Sequence, residues 1–218
     1  MKIAICGPAA SGKGTIARRV AIEARIVHVD LGLIFRCGAF AIKTKRVISL
    51  NELFELFQGG TVDYVWAEDK ARIRWSRKDV TPLLLTQEIA YYTSVLASVE
   101  TQQAELTKIA NVVLATMKDV VCDGRNAGMT ILPDADYKFF VTASLTERAR
   151  RRHLDLLRRG EDAPYAAVLS QIQERDRRDT ERTSNPLIVP KGAVVLETDN
   201  QSIEDSVRFI LDVVSRKI

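Results

Sequence analysis

The sequence predicts an α/β fold built on a parallel sheet, and three observations carry that expectation. Short apolar segments that read as buried strands recur at 2–6, 25–29, 119–122, 138–142 and 193–197. Helix-like stretches lie between them, the alternation that parallel strands with crossover helices require. A glycine-rich turn, Gly7 to Thr15, follows the first segment immediately and leads into a helical pattern.

Taken in order, the first strand segment feeds the glycine-rich turn and a helix that returns the chain to the second segment. The stretch from the second segment to the third is far too long for one crossover helix, so an insertion is expected there. Within it, Ser49-Leu50-Asn51-Glu52 forms a capping-box pattern ahead of the apolar residues Leu53, Phe54, Leu56 and Phe57, and Gly59-Gly60 closes the run. The spacing predicts a short helix. Residues 61–66 and 71–75 are rich in β-branched and aromatic side chains and flank the polar turn 67–70, which predicts a small antiparallel hairpin. From 86 to 117, the spacing of Ile89, Leu96, Leu106, Ile109, Val113 and Leu114 suits two helices that lead back to the sheet. A second insertion, 144–190, joins the fourth and fifth strand segments and is dominated by arginine. Ser202 with Asp205 then opens a final amphipathic helix bearing Val207, Ile210, Leu211 and Val214.

With 218 residues, 46% hydrophobic and 28% charged, the chain can bury one substantial core. The apolar run at the N-terminus is too short for a signal peptide or a membrane span, so a cytoplasmic protein with no membrane partner is expected. Cys6, Cys37 and Cys122 are scattered, without the short paired spacings of a zinc site or redox dithiol, and read as buried free thiols. A net charge of +4 favours anionic ligands, and most of the basic clustering falls between Arg148 and Arg182.

Gly7-Pro8-Ala9-Ala10-Ser11-Gly12-Lys13-Gly14-Thr15 has the strand-turn-helix context of a phosphate-binding loop. Its glycines let backbone amides turn toward phosphate oxygens, the helix N-terminus adds partial positive charge, and Lys13 can reach the β- and γ-phosphates. Asp123-Gly124-Arg125 emerges at the C-terminal end of a strand, where open α/β sheets bind ligands. Asp123 can orient Mg²⁺-bound waters there, and Arg125 can hold a phosphate. Arg36 falls about a turn or so into the helix after Asp30. Arg148, Arg150, Arg151, Arg152, Arg175, Arg177, Arg178 and Arg182 alternate with acids such as Asp176 and Asp179. That interleaving, without aromatic stacking platforms, argues against a nucleic-acid surface. A helix surface laced with ion pairs and a lid over phosphates remain, and the phosphate loop favours the lid, with several of these arginines plain surface residues. His28 and His153 have no acidic or nucleophilic partner in sequence and are given no catalytic role.

Taken together, Gly7 to Thr15, Asp30 to Arg36, Thr86-Gln87-Glu88, Asp123-Gly124-Arg125 and the segment Glu174 to Asp179 resemble the bacterial cytidylate kinases in order and spacing. The resemblance spans nearly the whole chain. It implies a three-layer α/β/α P-loop fold with a five-stranded parallel core from 1–30, 119–145 and 191–218, a nucleotide-binding insertion at 31–118 and a short mobile helical lid at 146–190. It also implies an ATP-dependent kinase for a nucleoside monophosphate, CMP or dCMP, working as a monomer. Arg36, Arg125 and Arg182 would hold the acceptor phosphate, Arg175 and Asp179 the sugar, and Asp30 would belong to the substrate site. The loop Gly7 to Thr15, with Lys13 at its centre, would bind ATP together with the lid arginines Arg148 and Arg152. Thr15 and Asp123 would serve Mg²⁺, Asp123 through water.

The sequence departs from the family where the base is read. A serine, an arginine and an aspartate read cytosine in the family, and the matching positions are Ser94, Gln103 and Asn126. The serine usual after Asp30 is Leu31, and the arginine usual before Thr86 is Leu85. Relaxed or altered base choice is therefore expected. Two other readings remain: a kinase of the same fold acting on UMP, another nucleotide or a small metabolite, and a regulatory module that binds nucleotide without turnover.

Overall fold

The computed structural model describes residues 1–215, so 216–218, at the end of the expected core segment, lie outside it. In chain order the elements are β1 (Lys2–Cys6), α1 (Lys13–Ala24), β2 (Val27–Asp30), α2 (Leu31–Lys43), α3 (Leu50–Gln58), β3 (Val62–Ala67), β4 (Lys70–Trp75), β5 (Lys78–Asp79), α4 (Thr81–Leu84), α5 (Gln87–Leu96) and α6 (Glu100–Leu114). They continue with β6 (Val120–Gly124), a π-helical turn (Ala127–Ile131), β7 (Tyr137–Thr142), α7 (Leu145–Arg158), α8 (Tyr165–Glu181), β8 (Val194–Glu197) and α9 (Ile203–Ser215).

The parallel sheet has the order β2-β6-β1-β7-β8, with helices on both faces. Strand alternation sorts the side chains. Ile3, Ile5, Val121, Phe139 and Val141 pack with Ile16 and Val20 of α1 and Val207 and Ile210 of α9. Ala4, Cys6, Val29 and Cys122 join the opposite cluster, with Ile34 and Cys37 of α2 and Leu106 and Ile109 of α6. Phe139 is fully buried at the centre of the first cluster, and truncating such a side chain to alanine costs about 3–5 kcal/mol. All three cysteines are buried free thiols, and among the described residues no helix is long and apolar enough to cross a membrane.

Strand boundaries differ from the sequence reading where a cap intervenes. Arg25 takes a left-handed conformation, φ 55°, and closes α1 with its N–H bonded to Ala21 and Ile22 carbonyls, so β2 starts only at Val27. The hairpin has a third strand. Both turns, Glu68-Asp69 and Ser76-Arg77, place two consecutive residues at positive φ, the tight geometry that matches strand twist. Ser49 caps α3 as expected, accepting from the Glu52 amide, while the Glu52 carboxylate turns back to the Ile48 N–H. The two arginine-rich helices, α7 and α8, carry their own small core of Ala149, Leu156, Val168 and Ile172.

Candidate active site

The phosphate loop is shaped by backbone constraints. Gly7 has φ 152°, and a Cβ there would sit 2.0 Å from the Val141 carbonyl oxygen, so no larger residue fits. Ala10 and Gly12 also lie at positive φ, and Gly12 begins α1 with no side-chain cap, which leaves the first amides of α1 to a ligand. Lys13 Nζ donates to the Pro8 carbonyl at 3.0 Å. Burial, and then the nearby Arg125 guanidinium, bring the Lys13 ammonium down to about 7. An anion brought to the loop would reverse that effect. Ser11 is buried beneath the loop with its Oγ unpartnered, and Thr15 is exposed on the first turn of α1.

Two carboxylates close the neighbouring strand ends. Asp30 and Asp123 stand opposite each other in the β2–β6 register. Asp30 Oδ1 caps α2 by accepting from the Leu33 amide at 3.0 Å. Burial, and then the charge of Asp123, hold its carboxyl above the usual range. Asp123 Oδ1 lies 2.7 Å from His28 Nε2, both side chains being buried. Its Oδ2 faces the loop, since a Cβ built on Gly14 would lie 3.6 Å from it.

A cleft of about 760 Å³ joins these groups to the arginines. Lys13, Gly14, Asp30, Arg36, Ser94, Asp123, Arg125, Asn126, Arg152, Arg175, Asp179 and Arg182 all line it, from the loop, both insertions and two strand ends. Asp179 is 4% exposed, 3.0 Å from Arg125 Nε and 3.9 Å from Arg175 Nε. Burial lowers Arg36, Arg152, Arg175 and Arg182 from their ordinary values, Arg175 to about 9 with Arg125 as a further cause. So many guanidiniums around so few acids leave the cleft suited to a polyanion.

Other expected residues lie elsewhere. Gln103 is fully buried in α6, outside the cleft wall, with both amide atoms unpartnered. Arg148, expected on ATP, is 7% exposed and is fastened to the Ala143 and Ala9 carbonyls at 2.9 and 3.4 Å and to Asp176 at 2.6 Å. It braces α7 against the phosphate loop and α8. Gly7, Pro8, Ser11 and Gly12 form the body of the loop, while Ala9, Ala10 and Gly14 contribute its cleft surface. Leu31 packs on Gly124, where a Cβ would meet its Cδ1 at 2.8 Å, and Leu85 is exposed. Arg178, in sequence one lid arginine among several with no contact of its own assigned, reaches Ser94 Oγ at 3.3 Å and lies over the Tyr91 ring. His28, given no catalytic role from sequence, carries one local signal, alternation: it shares a strand face with Asp30, two residues on.

Among the described residues no three His, Cys, Asp or Glu side chains converge as a metal cage. Asp123, with one oxygen fixed and the other toward the loop, instead suits Mg²⁺, which keeps waters and binds through one or two carboxylates plus substrate phosphates.

A family model for cytidylate kinase matches residues 3–216. A Bacillus cereus cytidylate kinase is 35% identical over 217 residues, covering 99% of this chain and 96% of its own. One from Carboxydothermus hydrogenoformans is 31% identical over 220 residues, covering 100% and 98%. Among solved structures, TT1252 from Thermus thermophilus aligns with TM-score 0.51 and 19% identity, covering 100% of this chain and 97% of its own. Shikimate kinase from Bacteroides thetaiotaomicron aligns at 0.50 and 12%, covering 99% and 98%. These two likenesses, both under 25% identical, bear on the fold alone.

Proposed function

The chain belongs to the cytidylate kinase family, and on that premise we propose that it moves the γ-phosphoryl group of ATP onto CMP or dCMP, as a cytoplasmic monomer using Mg²⁺. The observation that carries this reading is the convergence of Arg36, Arg125, Arg175 and Arg182 on one cleft with Lys13 and Asp123. An acceptor that is already a phosphate anion needs no strong general base, so positioning and charge neutralisation suffice.

In this reading 31–118 is the monophosphate-binding lobe and 146–190 the lid. Arg36, Arg125 and Arg182 hold the acceptor phosphate, while Arg175 and Asp179 hold the sugar. Lys13 and the amides of the loop hold the donor phosphates, with Arg152 closing from α7. Asp123, with Thr15 at the head of α1, would hold Mg²⁺, which would offset the charge of the donor phosphates when bound. Closure of the two insertions over the cleft excludes water from the γ-phosphoryl group.

Base choice is the finer part. Asn126 lines the cleft, 2% exposed, with its Nδ2 unpartnered. A carboxylate in that place would accept from the cytosine amino group and repel the uracil carbonyl, whereas an amide offers both a donor and an acceptor. That supports relaxed discrimination between CMP and UMP. The reading is tested by comparing CMP with cytidine as acceptors for wild type and Arg125→Met. Turnover confined to the monophosphate and lost in the variant is expected. Phosphorylation of the free nucleoside at a similar rate would overturn a phosphate-acceptor site.

A further inference from the structure

We propose that His28 is a positioning residue for phosphoryl transfer: its Nε2–H holds Asp123 Oδ1, and so aims Oδ2 at the first turn of α1. The proposal rests on the kinase reading above and deepens it.

The geometry is specific. His28 and Asp123 sit on adjacent parallel strands, with His28 two residues short of the level at which Asp30 faces Asp123. Both side chains are buried, and the 2.7 Å separation is that of a charge-assisted hydrogen bond. His28 Nδ1 is buried without a partner. A proton placed there would be a buried unsatisfied donor, and Asp123 would face a ring lone pair; with the proton on Nε2, Asp123 receives a donor and Nδ1 is left only as a bare acceptor.

The inserted hairpin fixes the ring. Tyr64 Oη donates to the His28 carbonyl at 3.0 Å and accepts from the Asp30 N–H at 2.8 Å, tying β3 to the end of β2. Trp66 meets the imidazole at right angles, with ring centroids 5.4 Å apart. The hairpin that belongs to the proposed acceptor lobe therefore reaches the donor-side carboxylate through one side chain. A freely rotating Asp123 carboxylate would present either oxygen; a clamped one presents Oδ2 toward Gly14.

The test compares His28→Phe with His28→Gln, whose amide N–H can still donate. Outer groups that orient a metal-site ligand typically change activity about 10–100-fold, so His28→Phe should lower kcat by that factor. It should also raise the Mg²⁺ concentration needed for half activity, with the KM for CMP changed less than about twofold. His28→Gln should recover a large part of kcat. A long-range ¹H–¹⁵N spectrum of the histidine-labelled protein, without nucleotide or metal, should show His28 protonated at Nε2 with a bare Nδ1. A kcat and Mg²⁺ dependence equal to wild type in His28→Phe would overturn the proposal while leaving the kinase reading intact. So would equal losses in both variants that merely track lower thermal stability, or a His28 protonated at Nδ1.

Discussion

Replacing Asp179 by asparagine probes the electrostatics of the cleft directly. Burial opposes ionisation of this carboxyl, but Arg125, Arg175 and Arg182 outweigh it and hold Asp179 below the ordinary aspartate value. The asparagine keeps the shape and removes the charge that faces three guanidiniums. Removing one partner of a fully buried pair costs about 3–5 kcal/mol. Arg125 and Arg175 retain 18% and 27% side-chain exposure, so solvent screens part of that loss. A destabilisation of about 3 kcal/mol is expected, or roughly 6–12 °C in Tm for a chain of this size. The pH dependence has a definite sign. A carboxyl whose folded pKa is depressed adds stability that is fully present above its unfolded value, about 3.9, and is lost as pH falls through the folded one. The gap between wild type and Asp179→Asn, measured by urea unfolding, should thus be constant near neutrality and shrink below about pH 4. A variant as stable as wild type at neutral pH, or a gap that failed to shrink on acidification, would refute the reasoning.

Lys13 should take up a proton when nucleotide binds. Its ammonium sits near 7 in the free protein, and donor phosphates would return it toward the ordinary lysine value of about 10.4. Calorimetry of ATP binding at a pH between these values, in buffers of different ionisation enthalpy, should report an uptake approaching one proton that disappears in Lys13→Met. In the free chain the same depression means that the unfolded state binds more protons above 7, so stability rises with pH across that window and does so less in the variant. Asn126→Asp should shift the ratio of kcat/KM for CMP over UMP toward CMP by about tenfold or more, one unmade or repulsive contact being worth roughly 1–3 kcal/mol; an unchanged ratio would remove Asn126 from base reading.

The elements that set the site were legible because they obey local rules. The continuous apolar run 2–6 announces a strand buried on both faces, which the structure divides into Ile3 and Ile5 on one and Ala4 and Cys6 on the other, and the glycines of the phosphate loop announce a turn that only glycine permits at Gly7. What escaped depends on partners distant in sequence. Arg148 reads as one more lid arginine until Asp176 and the Ala9 carbonyl are brought beside it, and the His28–Asp123 pair spans 95 residues. The strand β5 was missed for a local reason, because Ser76-Arg77 adopts a tight turn without glycine or asparagine to signal it. Gln103 matches the family's base-reading position with no motif to anchor it between Ser94 and Asp123, and its full burial in α6 reflects helix packing that such a match does not encode.

The central claim, phosphoryl transfer from ATP to a nucleoside monophosphate at this cleft, is tested most directly by coupled ADP release with Mg·ATP. The acceptors would be CMP, dCMP, UMP and the purine monophosphates, with Lys13→Ala as the blank. The account predicts Lys13-dependent turnover that is greatest with CMP or dCMP and measurable with UMP. Tight nucleotide binding with no Lys13-dependent turnover on any monophosphate would contradict it.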